Sequence, residues 1–204
     1  MARDKQGETK AAAPALAPPM GPAAARWLEG RLSAIAPAPV AGWAPTLCGS
    51  VDIRIGRDGV WYHEGAPIRR IALARLFSSV LRREADGGYA LVTPAECLRI
   101  HVDDVPFLAV DLFHDTEVEP PAFLFVTSLG EVVRLDRDHP LRIVVGPDGG
   151  FVPYITLRHG LEACFSRSLA LALAGRASEQ DGRFGIASAG SFFPLTVVDP
   201  AHDA

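Results

Sequence analysis

The stretch DGVWYHEGAPIRR, residues 58–70, places a tryptophan, a tyrosine, a histidine and an arginine pair within thirteen positions. Trp61 and His63 are two apart, so in an extended segment they share one face and Tyr62 takes the other. That face suits stacking on a planar group, with the imidazole as a polar contact. Arg69 and Arg70 open the apolar-periodic run that follows. A cation there opposes the helix dipole, and an anionic ligand or partner would offset the cost. Thr93 and Glu96, at the end of LVTPAE, would orient such a ligand if their strand neighbours the hairpin, and Glu96 would then pair with Arg69 or Arg70. Arg158 adds a cation from the second half of the chain. The seven residues read as a ligand site for a small anionic molecule. Two other readings stand beside it. One is a polar cluster that only locks the unit together, because buried charges come with partners. The other is an enzyme using His63 and Glu96 as acid and base.

Recognisable catalytic and metal patterns are missing from the sequence. There is no Gly-x-Ser-x-Gly elbow and no phosphate loop of the Gly-x-x-x-x-Gly-Lys type. The six histidines are scattered, without His-x-x-x-His spacing. The Gly-x-Asp-Gly turns lack the further oxygen ligands of a calcium loop. Asp103, Asp104 and Asp111 read as turn and edge residues. No metal and no cofactor are expected, and no catalytic residue is assigned.

Composition narrows the partners. The formal net charge of -4 argues against a nucleic-acid backbone as main partner. Charge is uneven: residues 54–99 carry eight arginines against five acids, and residues 100–139 carry nine acids against two arginines. Both lysines lie in the first ten residues, so every later basic contact uses a planar guanidinium. Cys48, Cys97 and Cys164 are widely spaced and read as small core residues in a reducing compartment. No apolar run is long enough to span a bilayer, and the N-terminus lacks the apolar centre of a secretory signal. The expected location is the cytoplasm, with no membrane partner.

These side chains need elements to hold them. Residues 1–21 are Ala, Pro and polar residues without periodicity, and disorder is expected. Residues 22–48 read as a short helix, with Trp27, Leu28, Leu32 and Ile35 on one stripe, then a proline-broken connector lying on the body through Trp43 and Leu47. A first unit, 49–112, opens with a hairpin around Asp58-Gly59. The helix PIRRIALARLFSSVLRRE follows, with Leu73, Leu76, Phe77, Val80 and Leu81 on its inner face, and then come three strands. A second unit, 113–198, carries hairpins around Leu129-Gly130 and Asp148-Gly149. Its helix is HGLEACFSRSLALALAG, with Leu161, Cys164, Phe165, Ser168 and Ala172 on one face. Matching the two Gly-x-Asp-Gly hairpins, and Phe77-Ser78 with Phe165-Ser166, gives an offset of 88–90 residues and reads as an internal duplication.

The order and spacing of Trp61, His63, Gly65, Pro67, Arg70, Thr93, Pro94, Glu96, Pro106 and Phe107 resemble the signature of a bacterial family, domain of unknown function 1285. LRHGLEACFSRSLALAL and GIASAGSFFPL are similar to two further blocks of that family, so the resemblance runs from about Gly49 to Leu195. Cys164-Phe165 stands where the family pattern has Arg-Leu, which puts any arginine contact from that position in doubt. The resemblance implies an α+β protein of two duplicated sheet-plus-helix units, the second pleckstrin-homology-like. It also implies a ligand site between the units and a role in signalling or nutrient stress. The expected function is small-molecule binding or sensing at that interface, and the alternative is a protein–protein interaction module without a small ligand. Deleting residues 1–21 is expected to leave Tm unchanged, because a segment without apolar periodicity buries little. A fall of many degrees in a thermal melt would instead reveal a docked arm.

Overall fold

The computed structural model describes residues 37–147 and 149–196. The stretch expected to be disordered, the helix expected from Pro22, and Asp148 lie outside the described residues. A 3-10 turn, Val40–Gly42, leads into β1, Leu47–Ile55. Trp43 is half-buried against Ala90, Val92 and Cys97, whereas Leu47 is exposed. β1 pairs with β2, Trp61–His63, across the Asp58-Gly59 turn. β2 turns onto the two-residue β3, Ala66–Pro67, through Glu64 and Gly65, at φ 50° and 75°. Two consecutive left-handed residues match the twist of the strands they join. The edge position of β3 tolerates Pro67, whose missing N–H leaves no ladder bond unmade.

Helix α1 spans Ile71–Ser79, and β4 (Leu81–Arg83), β5 (Tyr89–Val92) and β6 (Glu96–Val102) follow. The helix is shorter and turned relative to expectation. Leu81 opens β4 instead of ending the helix, and α1 buries Ala74 and Ser78 while Leu76 stays 60% exposed. Ser78 tolerates burial because its hydroxyl donates to the Arg75 carbonyl at 2.9 Å.

The second half comprises β7 (Phe107–Asp115), β8 (Ala122–Thr127), β9 (Val132–Arg134), β10 (Leu141–Val145), β11 (Phe151–Thr156) and β12 (Glu162–Phe165). Helix α2, Arg167–Ala174, comes next, then β13 (Ser178–Gln180), β14 (Arg183–Ser188) and β15 (Ser191–Pro194). The helix expected from His159 is half strand. Glu162–Phe165 is paired on both sides, by β11 and β7, and sheet pairing overrides the local helical pattern. Ser166 then caps α2 by accepting from the Leu169 N–H, and the helix buries Leu169, Ala170 and Leu173.

The first sheet runs β3-β2-β1-β6-β5-β4 and the second β10-β11-β12-β7-β8-β9, with β13-β14-β15 as a third. Each six-stranded sheet is two three-strand meanders, joined at its centre by a parallel pair, β1 with β6 and β7 with β12. The fold is therefore mostly β, not α+β: among the described residues the two α-helices are nine and eight residues long. Nor is the second half pleckstrin-homology-like, since a parallel pair lies at its centre and three strands follow its helix. The halves do share a strand order, but not in the register expected. The Asp58 hairpin joins the first two strands of one half, and the residue 148 hairpin joins the fourth and fifth of the other. Equivalent strands lie about 60 residues apart: Leu47 and Phe107 begin β1 and β7, and Leu81 and Leu141 begin β4 and β10. The chain crosses between the sheets after Val102, so residues 107–112, counted with the first unit from sequence, lie in β7 of the second sheet.

One apolar core serves both halves, from Ile53, Ile55, Trp61 and Leu91 through to Phe107, Phe125, Leu161 and Phe193. The third sheet is tied to it by Ser188, which is 2% exposed. Its hydroxyl accepts from the Phe123 N–H at 2.9 Å and donates to the Leu135 carbonyl at 2.7 Å. The Leu135 N–H already donates to the Phe123 carbonyl, so Ser188 occupies the place of the return bond in that ladder. Replacing Ser188 with Ala leaves two buried backbone groups unpaired and is expected to cost about 1–3 kcal/mol in urea unfolding. Ser191→Ala, which loses one exposed contact with Arg137, is expected to stay within about 0.5 kcal/mol.

Candidate ligand site at the seam between the halves

Directly opposed residues in neighbouring strands share a face. Arg83, Tyr89 and Ile100 form such a row across β4, β5 and β6. Arg142, Tyr154 and Cys164 form another across β10, β11 and β12. The link between β6 and β7 brings the two rows together, and a cleft of about 390 Å³ opens between them, lined by Arg83, Tyr89, His101, Asp104, Arg142 and Glu162 among others. Its walls thus come from both halves of the chain.

The polar groups of the cleft are held in place. The Arg142 guanidinium lies 4.2 Å over the Tyr154 ring and donates through Nε to Glu162 at 2.8 Å. Burial works against its charge, but the bond and charge of Glu162 more than offset this, and its pKa ends raised. The Tyr154 hydroxyl donates to Asp104 at 2.9 Å; burial first, and that bond second, push its pKa far above the usual phenol range. Burial also raises Tyr89 and Cys164, so the phenol and the thiol stay neutral near pH 7. A protonated, buried thiol is a poor nucleophile. Arg83 makes one long hydrogen bond, 3.4 Å to the Gly160 carbonyl, and is otherwise free to meet a ligand. Among the described residues no cluster of three metal-ligating side chains occurs. Two guanidiniums, two carboxylates, one phenol and one imidazole around a small volume are equipment for recognising a polar molecule.

Elsewhere the seam is closed. Arg158 bridges the halves: it donates to Glu131 within its own half and to the Ser78 carbonyl of α1 at 2.7 Å, with Phe107 beneath it at 5.4 Å. Arg75 of α1 donates to the Leu129 carbonyl at 2.7 Å. Gly59 sits so close that a Cβ there would meet the Leu108 side chain at 3.0 Å, and its φ of 75° is one that L residues rarely adopt. Arg158 and Glu131 side chains are only 12% and 16% exposed. Removing one of two such charges strands the other.

The residues selected from sequence lie outside the cleft. Trp61 is buried in the core, stacked on Phe77 at 6.1 Å, with no hydrogen-bond partner for its indole nitrogen among the described residues. His63, Arg69 and Arg70 are exposed. Thr93 forms the turn between β5 and β6, accepting from the Ala95 and Glu96 N–H groups. Glu96 stands opposite Leu47 and His63 opposite Ile53, six residues along β1 or roughly 20 Å. They cannot act as an acid–base pair, and Glu96 pairs with neither Arg69 nor Arg70. Arg158 alone of the seven is at the seam, as part of its closed side. Sequence reasoning missed Arg83 and Arg142. A partial signal existed: Leu81-Arg82 and Asp86-Gly87-Gly88-Tyr89 recur as Leu141-Arg142 and Asp148-Gly149-Gly150-Phe151, which relates the two edge strands but matches Arg142 to Arg82 and leaves Arg83 unmarked. Arg158→Ala is expected to lower stability by about 3–5 kcal/mol in urea unfolding, and Arg158→Met with Glu131→Leu to recover most of it.

Comparison with known proteins agrees with this division. Residues 38–105 match the model of the DUF1285 N-terminal domain, described as a domain of unknown function, and residues 106–195 that of the DUF1285 C-terminal domain, described as a protein of unknown function. The crystal structure of a DUF1285 family protein from Silicibacter pomeroyi DSS-3 is similar, with 41% identity, a TM-score of 0.74, and coverage of 84% of this chain and 95% of that one. A DUF1285 family protein from Shewanella baltica OS155 shares 26% identity over 58% of this chain and 87% of its own, with a TM-score of 0.47. No curated protein matches. With both family domains covering the described fold end to end, the chain belongs to the DUF1285 family.

Proposed function

We propose that the protein binds a small, anion-bearing polar molecule in the cleft between its halves, and that this binding is sensory, not catalytic. The observation that supports the reading is the pair of arginines on facing walls, Arg83 from the first half and Arg142 from the second. Arg142 is pre-oriented by Glu162 and Tyr154, which lowers the ordering cost of binding. Asp104, held by the Tyr154 hydroxyl, and Tyr89 supply contacts for the rest of the molecule. A ligand spanning the walls ties the halves together, and that coupling is what a sensor in the cytoplasm would read out. The contacts move from Trp61, His63, Arg69, Arg70, Thr93, Glu96 and Arg158 to Arg83, Tyr89, Asp104 and Arg142.

An interaction-module reading has its own observation. An apolar groove of about 440 Å³ runs beside α2, between Phe151, Pro153, Ala170 and Leu171, with Leu171 69% exposed. The two readings separate in one experiment. Thermal melts with a panel of small carboxylates and phosphates should show a stabilising member, worth about 2.7 kcal/mol at a hundredfold excess over Kd. Arg83→Ala removes only one long hydrogen bond and is expected to keep the unliganded Tm while abolishing the ligand shift. Arg69→Ala and Arg70→Ala are expected to keep it. A shift that survives Arg83→Ala and Arg142→Ala, or a panel without any stabilising member, sinks the proposal.

A further inference from the structure

The three cysteines expected in the core divide. Cys97 is buried, Cys164 is half-buried in the second sheet, and Cys48 is exposed. Cys48 of β1 and Cys97 of β6 are directly opposed in the central parallel pair of the first sheet. Opposed residues point to the same face, so the two thiols stand side by side. Neighbouring strands are about 4.8 Å apart, inside the roughly 4.4–6.8 Å between Cα atoms that a disulfide spans. The Cβ atoms begin at a similar separation, and a disulfide draws them to about 3.8 Å, so one strand must yield by about 1 Å.

β1 can yield at this point. Its ladder with β6 is irregular between Ser50 and Arg54, which sets Leu47–Ser50 off from the part of the strand that enters the core. β2 pairs only with Ile53–Ile55, so the outer edge of Leu47–Ser50 has no neighbouring strand among the described residues. All four of these residues are exposed. Cys97 is the fixed partner: it lies against Ala90, Val92 and Trp43, in a strand flanked by β1 and β5. The two thiols are also unlike. Burial first, then the negative charges of Glu84 and Cys48, push the Cys97 thiol up, while Arg82 works the other way. Cys97 is therefore the protonated, shielded member, and Cys48 is the one that a dissolved oxidant reaches.

We propose that Cys48 and Cys97 are a peroxide-responsive thiol pair: a hydroperoxide oxidises Cys48, and Cys97 resolves it into a reversible disulfide between β1 and β6. The Cys48 thiolate attacks one oxygen of the peroxide. The S–O bond forms as the O–O bond breaks, leaving a sulfenic acid and an alkoxide or hydroxide that takes up a proton. The Cys97 sulfur then attacks the Cys48 sulfur. The S–S bond forms as the S–O bond breaks, and the hydroxyl departs as water with the Cys97 proton. The two thiols lose two electrons between them and the peroxide gains both. Strain in a bond across two parallel strands leaves it open to reduction, so the pair returns to thiols.

The test treats full-length protein with hydrogen peroxide and records its intact mass and its non-reduced peptide map. The wild type should lose two hydrogens, yield a peptide pair joined from Cys48 to Cys97, and recover both thiols in millimolar reduced glutathione. Cys164→Ser should behave the same. Cys97→Ala should stop at a Cys48 sulfenic acid that dimedone traps, and Cys48→Ser should slow the oxidation of Cys97 about tenfold or more. Sulfinic acid at Cys48 with Cys97 still reduced overturns the proposal, because resolution must outrun further oxidation. A Cys48–Cys48 bond between two chains also overturns it, as does a bond that glutathione leaves closed. Two free thiols after a treatment that fully oxidises free cysteine would do the same.

Discussion

Each half of the molecule depends on one parallel strand pair, β1 with β6 and β7 with β12. Parallel neighbours cannot be joined by a tight hairpin, so the chain between them must leave and come back. Here it returns through four further strands, and the link between the two meanders must pass from one sheet edge to the other. In the first half α1 and its flanks make that passage. In the second only residues 135–140 are available, and they are folded into a turn in which Asp136 accepts from the N–H groups of Asp138 and His139. Fully extended, the seven steps from Arg134 to Leu141 would reach about 24 Å, about the width of five strand spacings in a flat sheet. Because the link is folded, the second sheet must curl, drawing its edge strands β9 and β10 toward each other.

The seam joins these two sheets in two different ways. Around α1, the two arginines that cross are satisfied by protein: Arg158 by Glu131 and the Ser78 carbonyl, Arg75 by the Leu129 carbonyl. The turn that offers Arg158 is itself constrained, with His159 at φ 54° and Gly160 at 69°. Around Tyr89 and Arg142 the walls stand apart and the guanidiniums keep donors to spare. The closed side fixes the separation of the walls on the open side. Paired and unpaired arginines therefore divide the labour: one set holds the gap, and the other is left to be filled.

Local structure was legible in the residues, and non-local pairing was not. The hairpins at Asp58-Gly59 and Asp148-Gly149 announce themselves because strand alternation and turn chemistry lie within a dozen positions. Those same signals are generic, and matching one to the other produced a repeat in the wrong register. The helices misled similarly: α1 lies between the meanders of its half, whereas α2 follows the last strand of the second six-stranded sheet. Glu162–Phe165 carries a helical pattern and is a strand because β7 and β11 flank it, partners 56 and six to ten residues away. The chemistry of WYHEG proved to be turn chemistry, with Glu64-Gly65 closing a hairpin. Arg142 gives no sign of function in its own neighbourhood; its meaning comes from Tyr154 and Glu162, twelve and twenty residues away and brought beside it by pairing.

Ser188 sets an order of events. Its hydroxyl completes a ladder between Phe123 and Leu135, residues made some fifty to sixty-five positions earlier. On a ribosome that adds roughly 5–20 residues per second, the second sheet waits several seconds for that serine. During the wait the Phe123 N–H and the Leu135 carbonyl have only water to bond. Among the described residues, no ladder between strands of the first half waits in this way on a later side chain.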